Sequence, residues 1–291
     1  MARTLVTGSA GRLGRSVVTA LAAAGHEVIG IDRSPGTPSA AAATLPADLT
    51  DLGEAFEVMT RFRPHSVVHL AAIAVPFSTT DALTFQVNTQ LAFNVCESAV
   101  RTGVAHVVVA SSPTVIGYGT PGWGPSYLPI DERHPLAPWN AYSLSKQVAE
   151  QVVASYARTS RTRLAAFRPC YVVAPEEWAG AATQQGHTVA DRLDRPELAG
   201  VSLFNYLDAR DAADFVLALL DRLPVLPNGE IFFAGAPDAL TREPIAEALP
   251  RVLPSARGLA DGLTGPVFSC EKAARLLGWR ASRSWRTELN P

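Results

Sequence analysis

Over its first 170 residues the chain alternates short, continuously apolar runs with longer segments whose apolar residues recur every three or four positions, and few folds accept that succession. "TLVTG", "EVIGID", "HSVVHLAA" and "HVVVASS" read as buried strands, with helical segments over residues 11–24, 51–62 and 82–102 between them. A further helix is predicted from about Asn140 to Ala157, leading into the strand "RLAAFRP". Strand–helix–strand repetition requires right-handed crossovers, so the fold class is α/β: a doubly wound, mostly parallel sheet with helices on both faces. Beyond residue 170 the regularity loosens, with a mixed polar stretch "EEWAGAATQQGHT", a helix "LDARDAADFVLALLD" and a strand "GEIFFAGA". We expect residues 1–170 to form the main domain and 171–291 a smaller lobe, some of whose elements return to the main sheet.

The turn after the first strand, "TGSAGRLG", carries Gly8, Gly11 and Gly14, with Arg12 and Leu13 between the last two. Glycines there allow a tight turn and bring backbone amides close to a pyrophosphate, whose charge the amino end of the following helix favours. The triplet alone is also compatible with an ordinary tight turn. Asp32 ends the second strand 18 residues after Gly14, where a carboxylate accepts hydrogen bonds from ribose hydroxyls. The alternative for Asp32 is a strand-end cap. Together these features read as a Rossmann-type dinucleotide site. The carboxylate repels a 2′-phosphate and so favours NAD, while Arg33 and Arg12 leave NADP possible.

Composition narrows the classes. With 47% hydrophobic and 18% charged residues the chain is globular and well cored, and a net charge of −2 offers no electrostatic reason for nucleic acid or an anionic membrane as partner. Cys96, Cys170 and Cys270 are odd in number and widely spaced, arguing against a disulfide framework or zinc site and for a reducing cytoplasm. None of the six histidines falls in a ligand pattern, so no metal is expected, and no Gly-x-Ser-x-Gly elbow is present. The beginning "MARTLVTG" lacks a secretory pattern, and no stretch approaches the roughly 18 apolar residues of a spanning helix. The expectation is a soluble cytoplasmic protein.

Near the middle stands "PWNAYSLSKQVAEQ", placing Tyr142 and Lys146 four apart on one helix face. Such a pair is commonly a solvated surface. A neighbouring ammonium, however, also draws down a phenol whose ordinary pKa is near 10, turning it into an acid or base usable near neutrality. Ser112 ends the strand "HVVVASS" on the carboxyl edge of the parallel sheet, where open α/β sheets bind ligands, so all three side chains can converge on one oxygen. The long connection 117–140 holds Tyr118, Trp123, Tyr127 and Trp139, which favour a packed wall over disorder.

With these residues together, the chain resembles the extended short-chain dehydrogenase/reductase family, also termed NAD-dependent epimerase/dehydratase. The matching motifs are "TGSAGRLG", "ADL" at 47–49, "HLAA" at 69–72, "VNTQLAFNVCESA" at 87–99, "ASSPTVIG" at 110–117, "YSLSK" at 142–146 and "RPCYVVAP" at 168–175, in order over about 60% of the chain. The resemblance implies that Asp48 and Leu49 meet the adenine, Ala71 and Ala72 line the cofactor near its ribose and phosphates, and the backbone after Pro169 meets the nicotinamide. It implies that Lys146 binds the nicotinamide ribose and lowers the Tyr142 pKa, that Tyr142 exchanges a proton with a substrate hydroxyl or ketone, and that Ser112 orients that oxygen. Asn88 is implied in a water network at the active site, or else is structural. Pro113 and Thr114 stand where the family's dehydratases carry an Asp-Glu pair, which disfavours that branch.

The function so implied is NAD(P)-dependent oxidation or epimerisation of a secondary alcohol, plausibly a sugar or sugar derivative. The alternative is a cofactor-binding regulatory protein without turnover, although such relatives generally lose the tyrosine or the lysine. The family further implies a homodimer through the helices at 82–102 and 140–157. In the later third, "NYLDARDAADFVLAL" places Arg210 and Asp211 either towards the substrate or between the lobes.

Overall fold

The strands that carry the sheet are apolar on both faces because helices cover both. The structure, a computed structural model, describes residues 2–34, 36 and 40–289. In its first half β1 (Arg3–Thr7), α1 (Arg12–Ala23), β2 (Glu27–Asp32), β3 (Ala43–Pro46), α2 (Leu52–Phe62), β4 (Ser66–His69), α3 (Asp81–Arg101) and β5 (His106–Ala110) follow one another. Then come α4 (Ala141–Thr159), β6 (Arg163–Pro169), β7 (Val172–Val173), α5 (Pro175–Trp178), α6 (Val189–Asp194) and α7 (Pro196–Gly200). The remainder holds β8 (Leu207–Asp208), α8 (Ala209–Arg222), β9 (Glu230–Ala234), α9 (Ile245–Val252), α10 (Glu271–Leu277) and α11 (Trp285–Glu288). The main sheet has the order β3-β2-β1-β4-β5-β6-β9 and every pairing in it is parallel.

Alternation along each strand divides the core in two. Val6, Val68, Val108, Ala165 and Phe167 point into one layer with residues of α1 and α8, while Leu5, Val67, Val107, Leu164 and Ala166 point into the other with residues of α2, α3 and α4. Helix α4 begins where it does because Asn140 caps it: Asn140 Oδ1 accepts the Ser143 amide at 2.8 Å, and Ser143 Oγ accepts the Asn140 amide at 3.2 Å. That cap sets Tyr142 in the first turn and turns Lys146 inward.

Two sequence readings change. The segment "SPGTPSAAAATLP" reads as a plain surface connection, but its end, Ala43–Pro46, forms the sheet's edge strand, pairing with β2 from Ala43–Ile29 to Pro46–Asp32. Its run of small residues offers no apolar signal, and a proline is tolerated at the end of an edge strand. The earlier part of that segment, Pro35 and Thr37 to Ser39, lies outside the described residues. The polar stretch after residue 174 also contains helix, the short α5 and, beyond Thr188, α6.

In the main sheet β9 pairs with β6, and α8 packs against α1. Arg210 and Asp211 take neither of their two predicted orientations, since neither lines the cleft and their partners all lie within residues 171–291. Arg210 pairs with Asp208 and Glu288, and Asp211 accepts the Ser282 and Arg283 amides at 3.0 and 2.8 Å. The carboxyl-terminal segment is thereby clamped to the start of α8, helped by the Trp285 amide donating to Tyr206 Oη at 2.8 Å. Among the described residues no helix is long and apolar enough to cross a membrane.

Beneath the sheet's carboxyl edge Arg168 of β6 and Glu150 of α4, 1% and 4% exposed, make a two-point ion pair at 2.7 and 2.9 Å. Ser111 Oγ donates to the same carboxylate at 2.6 Å. Removing one partner of such a pair leaves an uncompensated buried charge. Glu150→Ala is therefore expected to cost about 3–5 kcal/mol in chemical denaturation. A loss below about 1 kcal/mol, the range of an exposed pair, would refute the role given to this contact.

Candidate active site

The carboxyl ends of β1, β2, β4, β5 and β6 open into one cleft of about 520 Å³. Gly8, Gly11, Arg12, Leu13, Gly14, Asp32, Arg33, Asp48, Leu49, Ala71, Ala72, Ser112, Tyr142, Lys146 and Pro169 all stand on its walls. The glycine turn at one end is enforced by contact. A Cβ on Gly14 would lie 2.0 Å from the Gly8 carbonyl oxygen, and one on Gly8, whose φ is +67°, would lie 2.7 Å from the Ala71 nitrogen. Gly11 precedes α1 without a side-chain cap, so the helix's first amides face the cleft with no internal partner.

Asp32 lies beside this turn, its Oδ2 accepting the Ala10 amide at 3.1 Å. Asp48 is held below the usual carboxylate range by the Thr50 hydroxyl and amide, both on its Oδ1. The loop carrying Asp48 and Leu49 is itself pinned by Asn94 of α3, whose Nδ2 donates to the Leu49 and Thr50 carbonyls at 3.1 and 2.8 Å. An amide-lined turn at a helix amino end, with a carboxylate at the end of the next strand, fits NAD. Arg12 does not serve a 2′-phosphate in this arrangement. Its guanidinium pairs with the buried Glu177 and donates to the Val172 carbonyl at 3.1 Å, turned towards the later residues. Arg33 alone keeps its position beside Asp32.

At the other end Ser112, Tyr142 and Lys146 come together. Strand alternation splits the two serines, so Ser111 reaches down to Glu150 while Ser112 faces the cleft, where its hydroxyl acts on the Tyr142 phenol. Ser112 Oγ also accepts the Thr114 amide at 3.2 Å, capping the 3-10 turn Pro113–Ile116. The expected lowering of the phenol by its cationic neighbour is not what the geometry produces. Burial raises the Tyr142 pKa, and the opposing pull comes from Ser112. Lys146 Nζ lies 5.9 Å from the Tyr142 ring centroid and donates to the Ala110 carbonyl at 2.9 Å. Burial draws the lysine down to about 8, against the pull of Glu150 one helical turn on.

His69, buried at the end of β4, is depressed to about 3 by burial and then by the Lys146 charge. Thr7 Oγ1 accepts the Leu70 and Ala71 amides, each at 3.2 Å, leaving its proton for His69 Nδ1 at 2.7 Å. Nδ1 is thus an acceptor and the ring neutral. Asn88 Oδ1 accepts the Ile73 amide, and its Nδ2 donates to the Ile73 carbonyl and the Ser145 hydroxyl.

In the aromatic connection 117–140 Tyr118 is buried and Trp123 and Tyr127 are half-buried, whereas Trp139 is exposed. Trp123 Nε1 donates to the Ile116 carbonyl and Trp139 Nε1 to the Tyr118 carbonyl, at 3.0 and 3.1 Å. Tyr118 also lines the cleft, with Tyr171, Gln184, Gln185, Val201 and Ser202, which the sequence reading does not single out. Apart from Tyr118 and Tyr171, the latter inside "RPCYVVAP", they come from segments with no periodicity and no motif.

Fold and cleft define a dinucleotide-binding protein of the short-chain dehydrogenase class. The NAD dependent epimerase/dehydratase family matches residues 4–235. The chain belongs to that family and is an NAD-dependent enzyme. It is 33% identical over 245 residues to a UDP-glucose 4-epimerase of Azospirillum brasilense, covering 75% of this chain and 68% of that one. It is 33% identical over 191 residues to a UDP-glucose 4-epimerase of Mycolicibacterium smegmatis, covering 60% of this chain and 58% of that one. Among solved structures, a short-chain dehydrogenase/reductase superfamily protein of Agrobacterium tumefaciens with bound NAD superposes with a TM-score of 0.75 at 24% identity, over 99% of this chain and 94% of that one.

Two outcomes follow from the cleft's electrostatics. His69 titrates at about 3 in the fold and near 6.5 in the unfolded chain, so the unfolded state binds the extra proton between those values. Its contribution to stability is present above pH ~6.5 and is lost as the pH falls towards ~3. His69→Gln is expected to flatten that part of the stability–pH profile, and an unchanged slope would contradict the assignment. Asp32→Ala is expected to weaken NAD binding by about tenfold and to narrow the preference over NADP. Calorimetric titration checks this, and a wild type that binds NADP more tightly would overturn it.

Proposed function

We propose that the chain transfers hydride between NAD and a secondary alcohol or ketone of a sugar or sugar derivative, with Ser112, Tyr142 and Lys146 as its catalytic residues. The observation that carries the reading is their convergence on one wall of a cleft whose far end holds the glycine turn and Asp32. The turn Gly8, Gly11, Arg12, Leu13 and Gly14 would take the pyrophosphate, Asp32 and Arg33 the adenosine ribose side, Asp48 and Leu49 the adenine, and Ala71, Ala72 and Pro169 the remaining length. NAD, when bound, supplies the hydride acceptor.

Ser112 fixes the substrate oxygen by hydrogen bonding, and Tyr142 exchanges a proton with it at Oη. Because burial raises the Tyr142 pKa, the phenol is stored protonated, suited to hand its proton to a carbonyl; the Ser112 bond eases the reverse step. Lys146 sits where its ammonium can bond the nicotinamide ribose.

Oxidation and epimerisation share this proton exchange and differ in whether the oxidised sugar turns over and is reduced again or leaves. The named relatives are epimerases of a nucleotide sugar, which supports the sugar class. Residues 171–291 carry the substrate-binding lobe in this reading, and α3 and α4, with exposed Leu83, Phe93 and Leu144, the homodimer surface. A regulatory protein without turnover is disfavoured by the retention of both Tyr142 and Lys146.

Tyr142→Phe keeps the ring and removes the exchangeable proton. It is expected to abolish turnover, followed as absorbance of the reduced nicotinamide during a screen of sugars, uronic acids and nucleotide sugars, while NAD binding stays within a few-fold. Undiminished turnover would refute the acid/base role.

A further inference from the structure

A serine oxygen has one proton to give and two lone pairs to accept with, so the neighbours of Ser112 decide what it can offer the cleft. Both lone pairs are taken by a single residue. The Thr114 amide donates to Ser112 Oγ at 3.2 Å, and the Thr114 hydroxyl donates to the same atom at 2.9 Å. Pro113 between them has no amide proton, so the first donor of the 3-10 turn Pro113–Ile116 is the amide of Thr114.

The order of the two hydroxyls follows from what else lies in reach. A backbone amide can only donate, so one Ser112 lone pair is committed whatever the side chains do. Among the described residues Thr114 Oγ1 bonds only Ser112 Oγ. Were Ser112 to donate to Thr114 instead, the proton of this half-buried threonine would have no protein acceptor. With Thr114 donating, the hydroxyls run in one direction, from Thr114 to Ser112 to the cleft, and each donor polarises the next. Both residues line the cleft. The Ser112 hydroxyl also pulls the Tyr142 phenol downward, the direction that a donor to the phenolate produces.

We infer that Thr114 is a positioning residue: by filling both acceptor sites of Ser112 it makes that serine a donor only towards the cleft. Ser112 then holds a carbonyl oxygen or a tyrosinate, each of which accepts, and cannot accept a hydrogen bond from an alcohol or from the Tyr142 phenol. The exchanging proton passes between substrate and Tyr142 alone. This role rests on the hydride-transfer reading for the reaction it serves, whereas the donor order at Ser112 stands on the geometry of the turn.

The test compares Thr114→Val, which keeps the branched shape and the amide but removes the hydroxyl, with Thr114→Ser, which keeps the hydroxyl. Thr114→Ala removes the hydroxyl without a branched replacement and is expected to match Thr114→Val. The first readout is the tyrosinate content of the NAD-loaded protein at about pH 10, taken as the absorbance difference between each protein and its Tyr142→Phe counterpart. Thr114→Val is expected to lower it at least about threefold, because Ser112 is no longer held as a donor, and Thr114→Ser to return it to the wild-type value. Lys146 of α4 and Tyr118 of the connection 117–140 also face Tyr142, and none of these substitutions alters them.

The second readout is kcat for whichever alcohol the substrate screen finds. Tyrosinate is the base in alcohol oxidation, so Thr114→Val is expected to lower kcat about three- to tenfold and to move its rising limb to higher pH. Thr114→Ser is expected to restore both. Equal tyrosinate content in wild type, Thr114→Val and Thr114→Ala, or a Thr114→Ser protein that behaves as Thr114→Val does, would overturn the inference. If wild type oxidises no alcohol, the hydride-transfer reading fails, while the tyrosinate content still decides the donor order at Ser112.

Discussion

The pair between Glu150 and Arg168 joins α4 to β6, and through Ser111 to the end of β5, at the level where the cleft begins. Everything that defines the reacting end is built one layer above it. Lys146 lies one helical turn before Glu150, Ser112 is the next residue after Ser111, and Pro169 follows Arg168. Holding three backbone segments at one buried carboxylate fixes their register more tightly than apolar packing alone, which tolerates small shifts. Its cost is partly hidden, because Arg168 keeps one buried nitrogen without a partner while stacking 5.1 Å over Phe233.

The opposite end is governed by exclusion. Gly8 and Gly14 touch each other's backbone so closely that no side chain fits at either position, and the same turn presses on the strand end at Ala71. One end of the cleft is thus shaped by what is missing from two residues, the other by an ion pair. The space between them is the cleft of about 520 Å³.

How much of this was legible in the residues depended on whether a signal was local. The order of strands and helices was readable because strands buried on both faces are uninterrupted apolar runs, and the first half of the site because it sits at strand ends with small-residue motifs. Edge strand β3 was not readable, since Ala-rich sequence contributes backbone without an apolar signature. The phenol's direction of shift was misread because spacing on a helix gives proximity but not aim. Lys146 points at the Ala110 carbonyl, so burial prevails at Tyr142. The wall residues Gln184, Gln185, Val201 and Ser202 have no sequence signature, because they meet only through the irregular path between β7 and β8.

The clamp at the start of α8 also bears on the order in which the molecule is made. Asp211 leaves the ribosome some 71 residues ahead of Ser282, the first of the groups that complete its hydrogen bonds, and Tyr206 waits 79 residues for the Trp285 amide. A nascent chain already long enough to lay down all seven strands of the main sheet still carries an acidic group in its interior without its partners. That interior can therefore close only once residues 282–285 have been made.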